Sequence, residues 1–138
     1  GANGGLHTNY EGKARAAVKA LRLDGYDFAY IHVEAPDEMG HQGSVERKIQ
    51  AIENLDQRVI RLVKEGLDEA NVPYRMLVLP DHPTPIRVRT HTADPVPYLL
   101  YDSSRKEEHS YHYNEKEAAL TDHKLAEGWM MMERLFAE

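Results

Sequence analysis

The sequence predicts an α/β fold, a mainly parallel sheet flanked by helices, and three observations carry that expectation. Segments with helical apolar spacing alternate with short β-branched or apolar runs, the order expected of βα units. The run Arg75–Leu79 (RMLVL) is almost wholly apolar, as in strands covered on both faces of a parallel sheet. Acids and imidazoles gather just past the predicted strand ends, the edge at which open α/β sheets bind ligands.

The elements follow in order. A glycine-rich opening leads into a helix from about Asn9 to Arg22, where Ala14, Val18 and Leu21 recur on one face. Asp27–Glu34 (DFAYIHVE) has the aromatic and β-branched content of a strand, and Ala35-Pro36-Asp37 ends it. A long amphipathic helix spans about Ser44 to Ala70, with Val45, Ile49, Ile52, Leu55, Val59, Leu62 and Leu67 along its stripe. The second strand, Arg75–Leu79, stops at Pro80-Asp81-His82-Pro83, and a third, Val96–Tyr101, follows a loop punctuated by prolines. Asp102–Tyr113 is polar loop. A last helix covers about Glu115–Phe136, with a break near Gly128. Three strands make a narrow sheet for such a layout, so either further short strands escape this pattern or the sheet is cut and the domain partial.

Composition narrows the function. With 138 residues the chain can hold one domain with a core. At 41% hydrophobic and 29% charged residues its balance is that of a globular protein rather than a disordered one. The net charge of −6 and the lack of a Lys/Arg-rich run argue against nucleic acid as partner, since phosphate backbones need clustered cations. No apolar run reaches the ~18–20 residues of a membrane span, so no membrane partner is expected. There are no cysteines, which removes thiolate ligands and is compatible with the reducing cytoplasm, the expected location. The chain opens Gly1-Ala2-Asn3-Gly4-Gly5 without Met, which points to an excised or processed piece.

The chemistry-bearing residues sit in three segments. In Asp37-Glu38-Met39-Gly40-His41, one helical turn would place Asp37 and His41 at i and i+4, able to grip one cation. Gly40 would let a metal or phosphate approach the backbone. The plainer alternative is a helix entry with Asp37 as N-cap and His41 in solvent. Asp81 and His82 are framed by Pro80 and Pro83, which stiffen the backbone and suit a preorganised ligand pair. The alternative there is a proline-rich turn in which Asp81 caps the loop. His91 stands in Arg89-Thr90-His91-Thr92-Ala93-Asp94-Pro95; a lone loop histidine is ordinarily just solvated, and Asp94 reads as a turn former. Carboxylate and imidazole together suit Zn²⁺, Mn²⁺ or Co²⁺ better than Ca²⁺. Five ligands exceed one tetrahedral site and favour two ions.

Together, Asp37-x-x-Gly-His41, Leu79-Pro-Asp81-His82-Pro-Thr-Pro and Arg89-Thr-His91-Thr-Ala-Asp-Pro-Val-Pro resemble the archaeal type of cofactor-independent phosphoglycerate mutase, of the alkaline phosphatase superfamily. Thr8-Asn9-Tyr10-Glu11-Gly12-Lys13-Ala14 and Val33-Glu34-Ala35-Pro36 are similar as well. The resemblance covers most of the chain and weakens over Asp102–Asp122.

It implies an alkaline phosphatase-like fold, with Asp37, His41 and His91 holding one divalent ion. Asp81 and His82 would hold a second, the ions being Mn²⁺, Zn²⁺, Co²⁺ or Mg²⁺, with no 2,3-bisphosphoglycerate requirement. The implied activity is interconversion of 3-phosphoglycerate and 2-phosphoglycerate, a glycolytic isomerisation that passes the phosphoryl group through a serine. Residues 1–138 would then be the C-terminal part of the phosphatase-like domain. The nucleophilic serine and the inserted substrate domain would belong to the remaining N-terminal part, its partner along with a phosphorylated small molecule. The chain itself is expected to contain no catalytic serine and to be inactive alone. Ser44 reads as a helix N-cap, and Ser103, Ser104 and Ser110 lie in the variable loop. Two alternatives are a related phosphotransferase or phosphatase with another substrate, and a non-catalytic metal-binding or assembly module.

The other candidates have plainer readings. Trp129 with Met130, Met131 and Met132 reads as core or interface. His7, His109, His112 and His123 read as exposed, His32 as a hydrogen-bonded core imidazole, and Lys13 as a solvated helix lysine.

Overall fold

A computed structural model describes residues 1–108 and 110–137; His109 lies outside the described residues. The chain divides into two compact units, one formed by Gly1–Val72 with Thr84–Thr92, the other by Pro73–Pro83 with Ala93–Glu138.

The first unit is helical. α1 (Tyr10–Arg22) starts at Asn9, whose side chain accepts from the Gly12 amide, and it buries Tyr10, Ala14 and Ala17. α2 (Ala35–His41) has Pro36 in its first turn, where a missing N–H costs nothing. α3 (Val45–Leu55) is capped by Ser44, which accepts from the Arg47 amide, in the capping role expected of that serine. A single π-helical turn (Asp56–Ile60) joins α3 to α4 (Arg61–Ala70), so the long helix is continuous but offset at its middle. α4 ends at Asn71 in the left-handed region, φ 52°, a conformation asparagine tolerates at helix ends.

The offset divides the apolar stripe of the long helix. Val59, Val63 and Leu67 are buried against α1, whereas Val45, Ile49 and Ile52 are about half exposed. The expected single stripe therefore serves the core only in its second half. At the α1–α4 crossing a side chain on Gly66 would sit 2.9 Å from a Val18 methyl, so the small residue sets the approach. Arg58 stacks its guanidinium 4.7 Å from the centre of the Tyr10 ring and pairs with Glu11 at 2.5 Å and 3.0 Å. That pair pulls the Glu11 carboxyl down to about 2, chiefly through the hydrogen bond from Arg58.

Residues 27–34 are not a paired strand. Their exposure alternates from Ala29 to Glu34 as a pleated segment would, but no second strand hydrogen-bonds to them among the described residues. β-favouring residues can make a segment extended by themselves, while a ladder needs a neighbour. His32 is consequently half exposed and 3.5 Å from Glu34, not a core imidazole. Lys13 leaves the solvent role expected of it and donates to the His32 carbonyl at 2.7 Å.

In the second unit β1 (Arg75–Val78) and β2 (Leu99–Asp102) pair antiparallel, Arg75 opposite Asp102 and Val78 opposite Leu99. The α/β class holds, but the described sheet is antiparallel where a parallel one was expected. The connection carries Pro80, Pro83, Pro85, Pro95 and Pro97 and no helix, and parallel strands require a crossover that is usually helical. The same prolines explain why β2 begins at Leu99 rather than Val96, since proline cannot donate to a ladder.

The final helix is likewise two short pieces, α5 (Glu115–Ala118) and α6 (Met130–Phe136). α6 lies beside β1, where Arg75 donates to the Leu135 and Ala137 carbonyls and pairs with Asp102 at 3.1 Å. Asp102 also accepts from the hydroxyl and amide of Ser104, and these bonds with Arg75 bring its carboxyl down to about 2. Met131 is buried while Trp129 is 65% exposed, so one methionine of that cluster, and not the indole, is core.

Candidate metal centre

Three of the expected ligands converge in the first unit. Asp37 and His41 are one turn apart on α2, with His41 Nε2 3.3 Å from Asp37 Oδ2, the i, i+4 geometry of a shared grip. His91, from the Thr84–Thr92 segment, places its Nε2 3.2 Å from Asp37 Oδ1 and 3.2 Å from His41 Nε2. Three side chains able to bind a cation thus face one another from positions up to fifty-four residues apart. Asp37 is not the N-cap of α2, which is Glu34, while the His41 side chain keeps 37% exposure.

Chemistry supports a cation among these atoms. Ligands about 2.1 Å from one ion at tetrahedral angles would be about 3.4 Å apart, close to the distances found. His41 Nδ1 lies 3.0 Å from the Arg89 carbonyl. A carbonyl can only accept, so Nδ1 carries the proton in the neutral ring and Nε2 presents its lone pair inward. This pairing of a ring N–H with a backbone carbonyl is the usual support of a metal-binding histidine.

Arg89 adopts φ +59°, a left-handed conformation that costs a non-glycine residue of order 1–3 kcal/mol and concentrates at functional sites. It ends a turn whose amides at Val88 and Arg89 both donate to the Pro85 carbonyl. Its side chain lies over Gly43, where a Cβ would meet Arg89 Nε at 2.4 Å.

Asp37 has its own support. The Thr84 hydroxyl donates to Asp37 Oδ1 at 2.5 Å, and the Thr84 carbonyl accepts from Lys48 Nζ at 2.6 Å. Gly40 makes this approach possible, because a Cβ there would lie 2.5 Å from the Thr84 carbonyl oxygen. The expected role of Gly40 is therefore changed: the backbone it admits is Thr84, not a ligand.

Asp81 and His82 lie in the second unit, just past β1. His82 Nε2 is 3.3 Å from Asp81 Oδ2, and the His82 amide donates to Asp81 Oδ1 at 3.1 Å. Both contacts join chain neighbours within the Pro80–Pro83 frame, and the amide hydrogen bond is also the one expected if Asp81 caps the turn. Of the histidines read as solvent-facing, His7, His112 and His123 are exposed. Thr84, Lys48 and the Arg89 carbonyl support the cluster without belonging to the expected ligand set. The Pro-Thr-Pro setting of Thr84 was a usable signal of rigidity, while nothing in the sequence marks Lys48.

The chain is similar to known proteins along most of its length. Residues 3–130 match the Metalloenzyme superfamily. The chain is 50% identical over 107 residues to a 2,3-bisphosphoglycerate-independent phosphoglycerate mutase of Methanosarcina mazei, covering 78% of this chain and 26% of that protein. It is 43% identical over 136 residues to a probable 2,3-bisphosphoglycerate-independent phosphoglycerate mutase of Geobacter sulfurreducens, covering 98% and 33%. The solved PH0037 protein of Pyrococcus horikoshii superposes with a TM-score of 0.70 at 32% identity, over 86% of this chain and 34% of that one. The chain therefore spans about a quarter to a third of the length of these relatives. Sequence match, a similar solved structure and a carboxylate–imidazole cluster agree that the chain belongs to the Metalloenzyme superfamily, with a partial alkaline phosphatase-like α/β domain.

Proposed function

We propose that this chain contributes metal ligands to a phosphoglycerate mutase that interconverts 3-phosphoglycerate and 2-phosphoglycerate in glycolysis without 2,3-bisphosphoglycerate. The observation that carries the reading is the convergence of Asp37, His41 and His91 within 3.3 Å of one another. These three would hold one divalent ion, and Asp81 with His82 would contribute to a second. Such ions lower the pKa of an attacking hydroxyl and offset charge on a transferring phosphoryl group. Mn²⁺, Zn²⁺, Co²⁺ and Mg²⁺ are the candidates. Among the described residues no helix is long and apolar enough to cross a membrane. The substrate would be a phosphorylated small molecule and the location the cytoplasm.

The chain's own residues have distinct tasks in this reading. Asp37 brings the negative charge that offsets a cation, and the imidazoles bring neutral donors. The Arg89 carbonyl fixes the His41 tautomer. Residues 1–138 would form the C-terminal part of the phosphatase-like domain. The serine that accepts the phosphoryl group, the inserted substrate domain and the rest of the site would be supplied by the remaining N-terminal part. The relatives' names favour an enzyme over a non-catalytic module.

Calorimetric titration of the chain with MnCl₂ tests the ligand assignment. The chain should bind Mn²⁺ weakly, and His41→Ala should abolish the heat of the first site. Equal binding by wild type and His41→Ala would refute the assignment. Purified chain given 3-phosphoglycerate and Mn²⁺ should form no 2-phosphoglycerate; turnover like that of a complete mutase would refute the division of labour.

A further inference from the structure

We infer that Thr84 is a positioning residue for cation binding, its hydroxyl setting the orientation of the Asp37 carboxylate. This rests on the reading of Asp37 as a ligand and adds a residue outside the ligand set. Thr84 is 5% exposed, so its hydroxyl has little access to water and must be satisfied by protein. A carboxylate only accepts, hence Thr84 donates, and at 2.5 Å the bond has the length of a charge-assisted one.

The surroundings of Thr84 restrain both its backbone and its side chain. Pro83 and Pro85 flank it and limit its backbone. Lys48 holds its carbonyl. Its methyl carbon lies over Gly40, where an added Cβ would come within 3.0 Å. With the methyl on Gly40, the β-branched side chain directs Oγ1 to Asp37 Oδ1. That bond occupies one edge of Oδ1, and the carboxylate is turned so that Oδ1 meets His91 and Oδ2 meets His41. Without the hydroxyl the carboxylate could rotate away from this arrangement, and part of the binding free energy would go to ordering it again.

Two substitutions separate the hydroxyl from the packing. Thr84→Val keeps the branched shape and removes only the donor; Thr84→Ser keeps the donor and removes the methyl. MnCl₂ affinity is measured by calorimetry on the wild-type chain and both variants, with metal-free thermal unfolding recorded for each. Thr84→Val should bind Mn²⁺ roughly ten- to hundred-fold more weakly, the range found when supports of metal ligands are removed. Thr84→Ser should stay near wild type. Wild-type affinity in Thr84→Val overturns the inference, as does an equal loss in both variants or failure of Thr84→Val to fold, since none of these leaves the hydroxyl a specific role in cation binding. Failure of the ligand reading is distinct: the wild-type chain itself would then bind no Mn²⁺.

Discussion

The Asp37–His41–His91 cluster and the Asp81–His82 pair use the same residue types but are assembled by different physics. His82 reaches Asp81 through one peptide bond at a proline-framed strand end, so its geometry is local. His91 meets His41 and Asp37 across fifty or more residues, so that cluster exists only while α2 and the Thr84–Thr92 segment stay packed. Its supports, Gly40, Thr84, Lys48 and the Arg89 carbonyl, are packing and backbone features. A local pair depends on its members and their immediate chain neighbours, whereas a long-range cluster can also be lost by changing what stands behind it.

His82→Ala in the complete protein probes the local side and should give the largest effect. Turnover should fall at least about a hundredfold, as for loss of a group that stabilises transition-state charge. Folding free energy should move by no more than about 0.5 kcal/mol, as for substitutions outside the core. Turnover at saturating Mn²⁺ and substrate, paired with the metal-free thermal midpoint, decides. Near wild-type turnover, or activity lost only through unfolding, would make His82 structural.

Gly40→Ala probes the long-range side. Its methyl would meet the Thr84 carbonyl at 2.5 Å, and backbone there cannot swing aside like a side-chain end. Overpacking of this kind costs typically about 1–3 kcal/mol. Metal-free stability and Mn²⁺ affinity should fall together, in contrast to His82→Ala. A Gly40→Ala chain with unchanged stability would show that the cluster does not depend on this approach.

The smallest effect compares the two units in acid. Glu11 in the first and Asp102 in the second both have folded pKa values near 2, below their ordinary 4.5 and 3.8. For a lowered pKa the unfolded chain binds protons first. The stabilisation is therefore full above the ordinary pKa and is lost as pH falls from there toward about 2. Both groups are solvent-accessible, so the effect is screened and modest. Glu11→Gln and Asp102→Asn should each make acid unfolding less steep in that window, read by circular dichroism against pH. Unchanged steepness in both would mean that other carboxylates control the transition.

Much of the candidate site was legible because the segments that carry its acids and imidazoles announce themselves locally. The i, i+4 spacing of Asp37 and His41 places them on one helix face whatever surrounds the helix. Pro80 and Pro83 mark the rigidity around Asp81 and His82. Helix α1 and the long helix followed from apolar periodicity, and Ser44 from capping chemistry. The misses share a cause. Whether residues 27–34 join a ladder, whether β1 and β2 run antiparallel, and whether Val45 or Val59 is covered all depend on a neighbour that periodicity does not name.

The sequence by itself determined which segments are helical or extended and which carry donors for a cation, because backbone propensity and side-chain chemistry act within a few residues. Only the tertiary structure decided that His91 rather than solvent faces Asp37, and that Arg89 turns left-handed to present its carbonyl to His41. It also decided that Thr84 closes on Gly40. These are choices of packing between segments distant in the chain. Their energies come from excluded volume, desolvated hydrogen bonds and buried area, none of which has a value until the surfaces meet.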